Sequence, residues 1–211
     1  RENGEWSSDN EEVATVDKGT ITAVKAGKAD ITVRYGSRQK IYHVAVYSTF
    51  GSAELNDETV YTYSGEGKEA TIKVIGASGE TVSAEYYDVA YENNVNAGMA
   101  TAIATVNEAG IQAGYKSGSR VSATFAIEKA DPTVTATGAS LSYNAESEQV
   151  LGTLETTSDG TVEYSLDGGM TWSENVPTAK EIGEYSVNYR ITDGANYKDT
   201  AGSYTAEITA G

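Results

Sequence analysis

A period of two governs this chain. In "EYSVNYRIT", Tyr185, Val187, Tyr189 and Ile191 fall on one side of an extended backbone, with Ser186, Asn188 and Arg190 on the other. The same alternation aligns Ala123, Phe125 and Ile127 in "SATFAIE", and Ala29, Ile31, Val33 and Tyr35 in "ADITVRYG". In "IYHVAVY" it sets Tyr42, Val44 and Val46 against His43. Successive side chains of a strand point to opposite faces, so each run makes a half-buried strand, and no run shows a helical period. Turn signals separate them: "ASGE" at 77–80, "ENN" at 92–94, "SDG" at 158–160 and "DGG" at 167–169. Many short strands with frequent turns predict an all-β fold of β-sandwiches.

Composition narrows the setting. The 211 residues hold 22 Gly but 2 Pro, and 15 Tyr but 2 Phe. Tyrosine favours strands and joins an apolar ring to a polar tip, which suits thin sheets with little interior. No apolar run approaches the roughly 20 residues of a membrane-spanning helix, no leader stands at the start, and the abrupt opening reads as a piece of a larger protein. Cysteine is absent. Small secreted β domains of eukaryotes are usually disulfide-bonded, so its absence points to a bacterial surface protein. The net charge of −16 is uneven: net 0 over 1–50, −6 over 51–130 and −10 over 131–211. Such a surface repels polyanions, which argues against nucleic acid and anionic lipid as partners. An acidic, solvated exterior keeps a surface protein soluble.

Internal repetition sets the expected organisation. "ATFAIEKADP" at 123–132 parallels the final "YTAEITAG", each preceded by a loop with a tyrosine, "AGYKSGS" and "GANYKDTAGS". The openings "ETVYTYSGEGKEATIKV" and "ASLSYNAESEQVLGTL" also correspond. Two related units at 51–130 and 131–211 are expected, following a first segment at 1–50. The joint is "EKADPT", where Pro132 forces its neighbour to be extended.

The first fifty residues resemble the second half of a bacterial immunoglobulin-like domain, group 2, of the invasin and intimin type. The resemblance rests on Trp6 to Ser8, Val13 to Val16, Gly19 to Val24 and the run from Ala26 to Thr32, in that order. The family's first strands are missing, so this domain is expected to be truncated here or completed by neighbouring sequence. The middle unit is similar to Gly/Tyr-rich Ig-like repeats of Gram-positive surface proteins through "YYDVAYENNVNAGMATAIAT" and "FAIEKAD". The last unit is similar to another repeat of that type. The resemblances imply tandem Ig-like β-sandwich modules in an extracellular protein of the bacterial cell surface or wall, and imply no chemistry.

One motif raises an enzymatic question. "SLDGGMTW" at 165–172 resembles the Asp box of sialidases and related propeller proteins. Its physical content is a hairpin in which Asp167 bonds the backbone of a turn made by Gly168 and Gly169 while Trp172 packs beneath. The motif is structural in sialidases too. The resemblance would require an arginine cluster and a Tyr–Glu pair for catalysis, but residues 131–211 contain one arginine, Arg190. Shape, not catalysis, is the reading. With no Cys and one His, thiol chemistry and histidine-rich metal sites are excluded. His43 reads as a solvent-side or inter-domain residue. A glycosidase carboxylate pair needs a cleft that thin sandwiches rarely offer. No catalytic residue, and no enzyme, is expected.

No metal site is assigned. Glu54, Asp57, Glu58 and Asp131 gather acid near the module joints, where Ca²⁺ would stiffen a string of modules, but the Asp-x-Asp-x-Asp spacing is absent. The candidate binding residues are Tyr86, Tyr87 and Tyr91 with Asn93 and Asn94 in "ENNVNAG", and Trp172 and Tyr197 in the last unit. Aromatics beside amides suit carbohydrate stacking or protein contact, although tyrosine standing in for phenylalanine throughout also fits core positions. Two functions follow. One is a monomeric, non-enzymatic adhesin, host-binding segment or stalk with a glycoprotein such as mucin or immunoglobulin as partner. The other is an accessory polysaccharide-binding or spacer region of a secreted glycoside hydrolase.

Overall fold

The computed structural model describes residues 4–56 and 58–210. In chain order the strands are β1 (Glu5–Ser8), β2 (Ala14–Asp17), β3 (Thr20–Ala23), β4 (Gly27–Tyr35), β5 (Arg38–Val46), β6 (Phe50–Leu55), β7 (Tyr61–Thr62), β8 (Ile72–Gly76), β9 (Tyr87–Glu92) and β10 (Gly98–Val106). They continue as β11 (Arg120–Glu128), β12 (Val134–Gly138), β13 (Ser140–Ser142), β14 (Gln149–Val150), β15 (Gly152–Thr156), β16 (Thr161–Ser165), β17 (Thr178–Ala179), β18 (Gly183–Thr192) and β19 (Thr200–Thr209). The all-β class is the one the alternation predicts. Among the described residues one α-helix occurs, α1 (Glu108–Gln112), five residues long and before β11. It is too short to show a period, and Asn107 caps it by accepting the Gly110 N–H at 3.0 Å.

The chain divides into two units. One comprises Arg1–Thr59, Glu69–Glu92 and Ala100–Phe125; the other comprises Val60–Lys68, Asn93–Met99 and Ala126–Gly211.

In the first unit, β1, β4 and β5 form an antiparallel sheet with Ile31 opposite Tyr42. Alternation along β4 turns Ala29, Ile31 and Val33 inward. The β2–β3 hairpin lays Val13 and Ala14 over them, with Trp6, Val16, Val44 and Val46 at the margin. Its two-residue turn, Lys18–Gly19, has positive φ at both positions, 48° and 89°, the type I′ geometry that matches strand twist. The same unit contains the β6–β8 pair and the β11–β10–β9 order. Its interior includes Phe50, Ile72, Val74 and Phe125 against the small residues Ala100, Ala102 and Ala104. Phe50 meets Tyr87 and Tyr115 edge-on at ring separations of 6.1 and 5.4 Å.

In the second unit, β7 pairs in parallel with the end of β11 at Ile127 and Glu128. The main sheet runs β13–β19–β18–β16, with its longest antiparallel ladder between β18 and β19. The β12–β15 and β14–β17 pairs lie across it. Leu151, Ala179, Val187, Tyr204, Ala206 and Ile208 meet between the layers, with Leu154 and Val162 packed on them. This is a sandwich: two sheet layers closing on one apolar interior.

β12 comes against the backbone of β19 at Gly138, opposite Gly152 in the β12–β15 register. A Cβ at Gly138 would lie 1.6 Å from the Thr205 carbonyl oxygen, a backbone atom with no rotamer to escape through. Gly138→Ala is expected to lower unfolding stability by about 3 kcal/mol, read by chemical denaturation. Leu151→Ala, at a fully buried position, is expected to cost about 2–5 kcal/mol through the cavity it leaves.

Candidate functional site

The most developed surface feature of the second unit grows from the turn after β16. Ser165, buried at the strand end, donates from its hydroxyl to Asp167 Oδ1 at 2.7 Å and accepts the Gly169 N–H at 2.8 Å. Asp167 Oδ1 also accepts the N–H groups of Met170 and Thr171 at 3.0 and 2.9 Å, and Thr171 Oγ1 donates to Oδ2 at 2.5 Å. These bonds, led by the Thr171 hydroxyl, hold the Asp167 carboxyl far below the usual carboxylate range. Gly168 and Gly169 take φ of 73° and 91°, which a side chain would resist. The backbone then returns to pair Ser173 with Tyr164, bonded both ways at 2.7 and 3.0 Å.

Trp172 is fixed by the neighbouring strand. Arg190 of β18 sets its guanidinium 4.5 Å from the centre of the indole. Arg190 Nε also donates to Glu163 Oε2 at 2.7 Å, its cross-strand partner in the β16–β18 register. The one arginine of this region is thus committed to an aromatic ring and a carboxylate.

Beside this turn lies a groove of about 300 Å³. Tyr164, Leu166, Trp172, Val176 and Pro177 give it apolar surface, and Thr171, Ser173, Asn175 and Thr178 give it hydroxyls and an amide. None of its lining residues carries a formal charge. Leu166 and Val176 are about half exposed, and Met170 at the turn tip is 82% exposed. Sequence patterning singled out Trp172 but missed Leu166, Asn175, Val176 and Arg190. The available signal was three exposed apolar residues at 166, 170 and 176 flanking a tryptophan.

The other sequence-predicted residues fall in different settings. Tyr87 and Tyr91, on one face of β9, turn inward: their hydroxyls donate to the Ile72 and Ala70 carbonyls at 3.3 and 3.0 Å. Tyr86 ends a 3₁₀ turn, half-buried, with its ring 6.0 Å from that of Tyr115. Asn93 is exposed with φ of 56°, while Asn94 donates from Nδ2 to the Lys68 carbonyl at 2.9 Å. The 93–99 loop encloses a hollow of about 350 Å³ lined by its own residues. Its Ala97 N–H reaches Asn196 Oδ1 at 2.9 Å, and Asn196 donates to Asp159 Oδ2 from both its backbone and its amide at 3.0 Å. Tyr197 lies edge-on to Tyr63 at 5.4 Å. Trp172 and Tyr197 therefore sit in different loops with different neighbours.

His43 is 81% exposed at its side chain and holds Asp30 Oδ1 at 2.6 Å across the β4–β5 ladder, on the solvent side. Of the acids near the expected joints, Asp131 pairs with Lys198 at 3.0 Å, Glu54 and Glu58 are exposed, and Asp57 lies outside the described residues. Among the described residues no group of three or more His, Asp or Glu stands together as a metal site, and no helix is long and apolar enough to cross a membrane.

Comparison with known proteins bears on the first segment. Residues 1–44 match the family model of the bacterial Ig-like domain (group 2). That is the family the motifs from Trp6 to Thr32 resemble. No curated protein sequence matches the chain. Among solved structures, Drosophila N-cadherin EC1-3 is similar at 11% identity over 99% of this chain and 90% of that one, with a TM-score of 0.31. Surface layer protein SbsC, domains 4-9, is similar at 13% identity over 98% of this chain and 39% of that one, with a TM-score of 0.23. A SusE-like surface located polysaccharide binding protein from the Bacteroides thetaiotaomicron heparin utilisation locus is similar at 9% identity. It aligns over 97% of this chain and 48% of that one, with a TM-score of 0.25.

Two outcomes test the site's construction. Asp167→Ala is expected to lower the melting temperature of the second unit. Because the folded carboxyl titrates below its unfolded value, this contribution is complete above about pH 4 and is lost as pH falls further. The gap between wild type and variant should therefore be constant from neutral to mildly acid pH and close under strong acid. Arg190→Ala should cost about 1–2 kcal/mol, from the indole contact and a half-exposed ion pair, and should red-shift Trp172 emission.

Proposed function

We propose that this chain is a non-enzymatic binding segment of a bacterial cell-surface protein, built of modules at 1–50, 51–130 and 131–211, that adheres to a host protein or glycoprotein. The observation that carries the reading is the preorganised, uncharged groove around Trp172 on an otherwise acidic sandwich. An aromatic stacked on an ion-paired arginine loses little freedom on binding, the property of an anchor residue. The bacterial Ig-like match at 1–44 supports an extracellular setting. Around Asp167 every carboxylate bond goes to the turn itself, which suits a structural acid rather than a general acid or base.

Adhesion here is passive: sandwiches carry loops away from the cell, and the loops make contact. Trp172 is the leading contact, and Tyr197, Asn93 and Asn94 are further loop contacts elsewhere in the second unit, while Tyr86 and Tyr91 are half-buried candidates of the first unit. Tyr87 is buried within the first unit and supports Tyr91 from the same face of its strand. The groove also favours a second reading, an accessory polysaccharide-binding region of a large secreted glycoside hydrolase, because an indole beside hydroxyls and an amide suits sugars from either source.

The purified chain, coupled to resin and exposed to mucosal secretions, is expected to retain glycoprotein without cleaving it. Retention on neutral polysaccharide with no capture of host protein would favour the second reading. Release of reducing sugar from any polymer by the purified chain would overturn the non-enzymatic proposal.

A further inference from the structure

From the chemistry of the Trp172 groove we infer that it is a subsite for a neutral sugar ring, such as an unmodified or N-acetylated hexose, and that it rejects sialic and uronic acids. The inference rests on the adhesive reading above and specifies its ligand.

Three observations carry it. First, the groove has no charged lining residue in a chain whose residues are 22% charged. The carboxylates bonded to its lining hydroxyls, Asp167 on Thr171 and Glu148 on Thr178, surround it with negative charge. Arg190, the cation on the indole, is spent on Glu163 and the ring. A sugar carboxylate entering here would meet repulsion from Asp167 and Glu148, with no cation among the lining residues to offset it.

Second, the polar groups are mixed. Thr171 and Thr178 donate their hydroxyl hydrogens to carboxylates, which leaves their oxygens as acceptors towards the groove. The Ser173 hydroxyl accepts the Asn175 N–H at 3.1 Å and keeps its own hydrogen to donate. The Asn175 carboxamide is exposed and offers both a donor and an acceptor. A polyol, whose every hydroxyl both gives and takes, fits such a set; an apolar peptide side chain would leave it unpaired.

Third, the volume of about 300 Å³ lies at the small end of ligand pockets, sized for a single ring against one indole. Trp172 is half-buried, with Arg190 over its ring and Gly169 close to its edge, so the apolar C–H face of a pyranose would meet the indole surface left to the groove, with its hydroxyl rim at Asn175 and Ser173.

The test is isothermal titration of the whole chain with N-acetylglucosamine and galactose, and with N-acetylneuraminic acid and glucuronic acid. Millimolar binding of at least one neutral sugar is expected, with the acids weaker by about tenfold or more. Trp172→Ala should weaken the neutral sugar by about tenfold. Trp172 also packs in its turn, so Asn175→Ala supplies the control: its melting temperature should be unchanged while affinity falls several-fold. Preference for an acidic sugar, absence of neutral-sugar binding, or wild-type affinity in both variants would overturn the subsite.

Retention of mucosal glycoprotein before and after enzymatic removal of its glycans separates the two levels. Retention that survives deglycosylation and Trp172→Ala leaves the adhesive reading standing and removes the sugar subsite. Retention lost in both treatments supports both. Parallel columns of mucin-type glycoprotein and neutral polysaccharide then show which source presents the ring.

Discussion

A two-layer β-sandwich has an interior one side chain deep on each face, and this thinness constrains everything else in the molecule. Sheets stack about 10 Å apart, so each buried position must fill the gap from its own side. Ile31, Val74, Leu151, Val187, Ile191 and Ile208 are the largest fully buried side chains. Ala100, Ala102 and Ala104 are buried along β10, and glycine replaces any side chain where β12 touches β19. The preference for tyrosine follows from the same geometry. A phenol fills the layer while its hydroxyl reaches a backbone carbonyl at the rim, as Tyr87 does to Ile72, Tyr91 to Ala70 and Tyr185 to Glu181. Tyr204 departs from this pattern. Its hydroxyl is buried with no partner among the described residues, and burial pushes its pKa up.

With so little interior, concave surface has to come from loops. The turn after β16 supplies it by satisfying nearly all of its own polar groups through Ser165, Asp167 and Thr171. A self-satisfied turn can stand out from the sheet and still stay rigid. Arg190, paired across strands with Glu163 and stacked on Trp172, fixes the aromatic wall from the sheet side. Rigidity and exposure, usually opposed in loops, coexist here.

The strands were legible because their signal is local. Alternation at Ala29, Ile31 and Val33, and at Val187 and Ile191, follows directly from the pleat and matches their burial, while Tyr35 at the end of β4 on the same face is exposed and Tyr185 and Tyr189 are half-buried. The Asp-box turn was legible for the same reason: its bonds lie within five residues. The helix at Glu108–Gln112 was not, since five residues show no period and its cap is one asparagine. The roles of the tyrosines depend on which way a strand face turns, and a pattern of alternating residues does not say which face is inside. Hence Tyr87 and Tyr91 read as a surface cluster yet spend their hydroxyls on backbone within the first unit. The groove depended on pairing between segments distant in sequence. Arg190 reaches Trp172 only through the β16–β18 register, and Leu166 and Val176 meet only because Ser173 returns to Tyr164.

One feature of the second unit bears on mechanics. β13 lies parallel to β19, with Ser140, Leu141 and Ser142 beside Glu207, Ile208 and Thr209, and the Tyr143 N–H adds a bond to Thr209 at 2.8 Å. Tension entering the backbone just before β13 and leaving just after β19 pulls these neighbours past one another lengthwise. The cross-links between them are then strained side by side and have to fail together, whereas a hairpin pulled at its open end peels one rung at a time. Such a clasp sets how much load along this axis the second unit withstands before it opens.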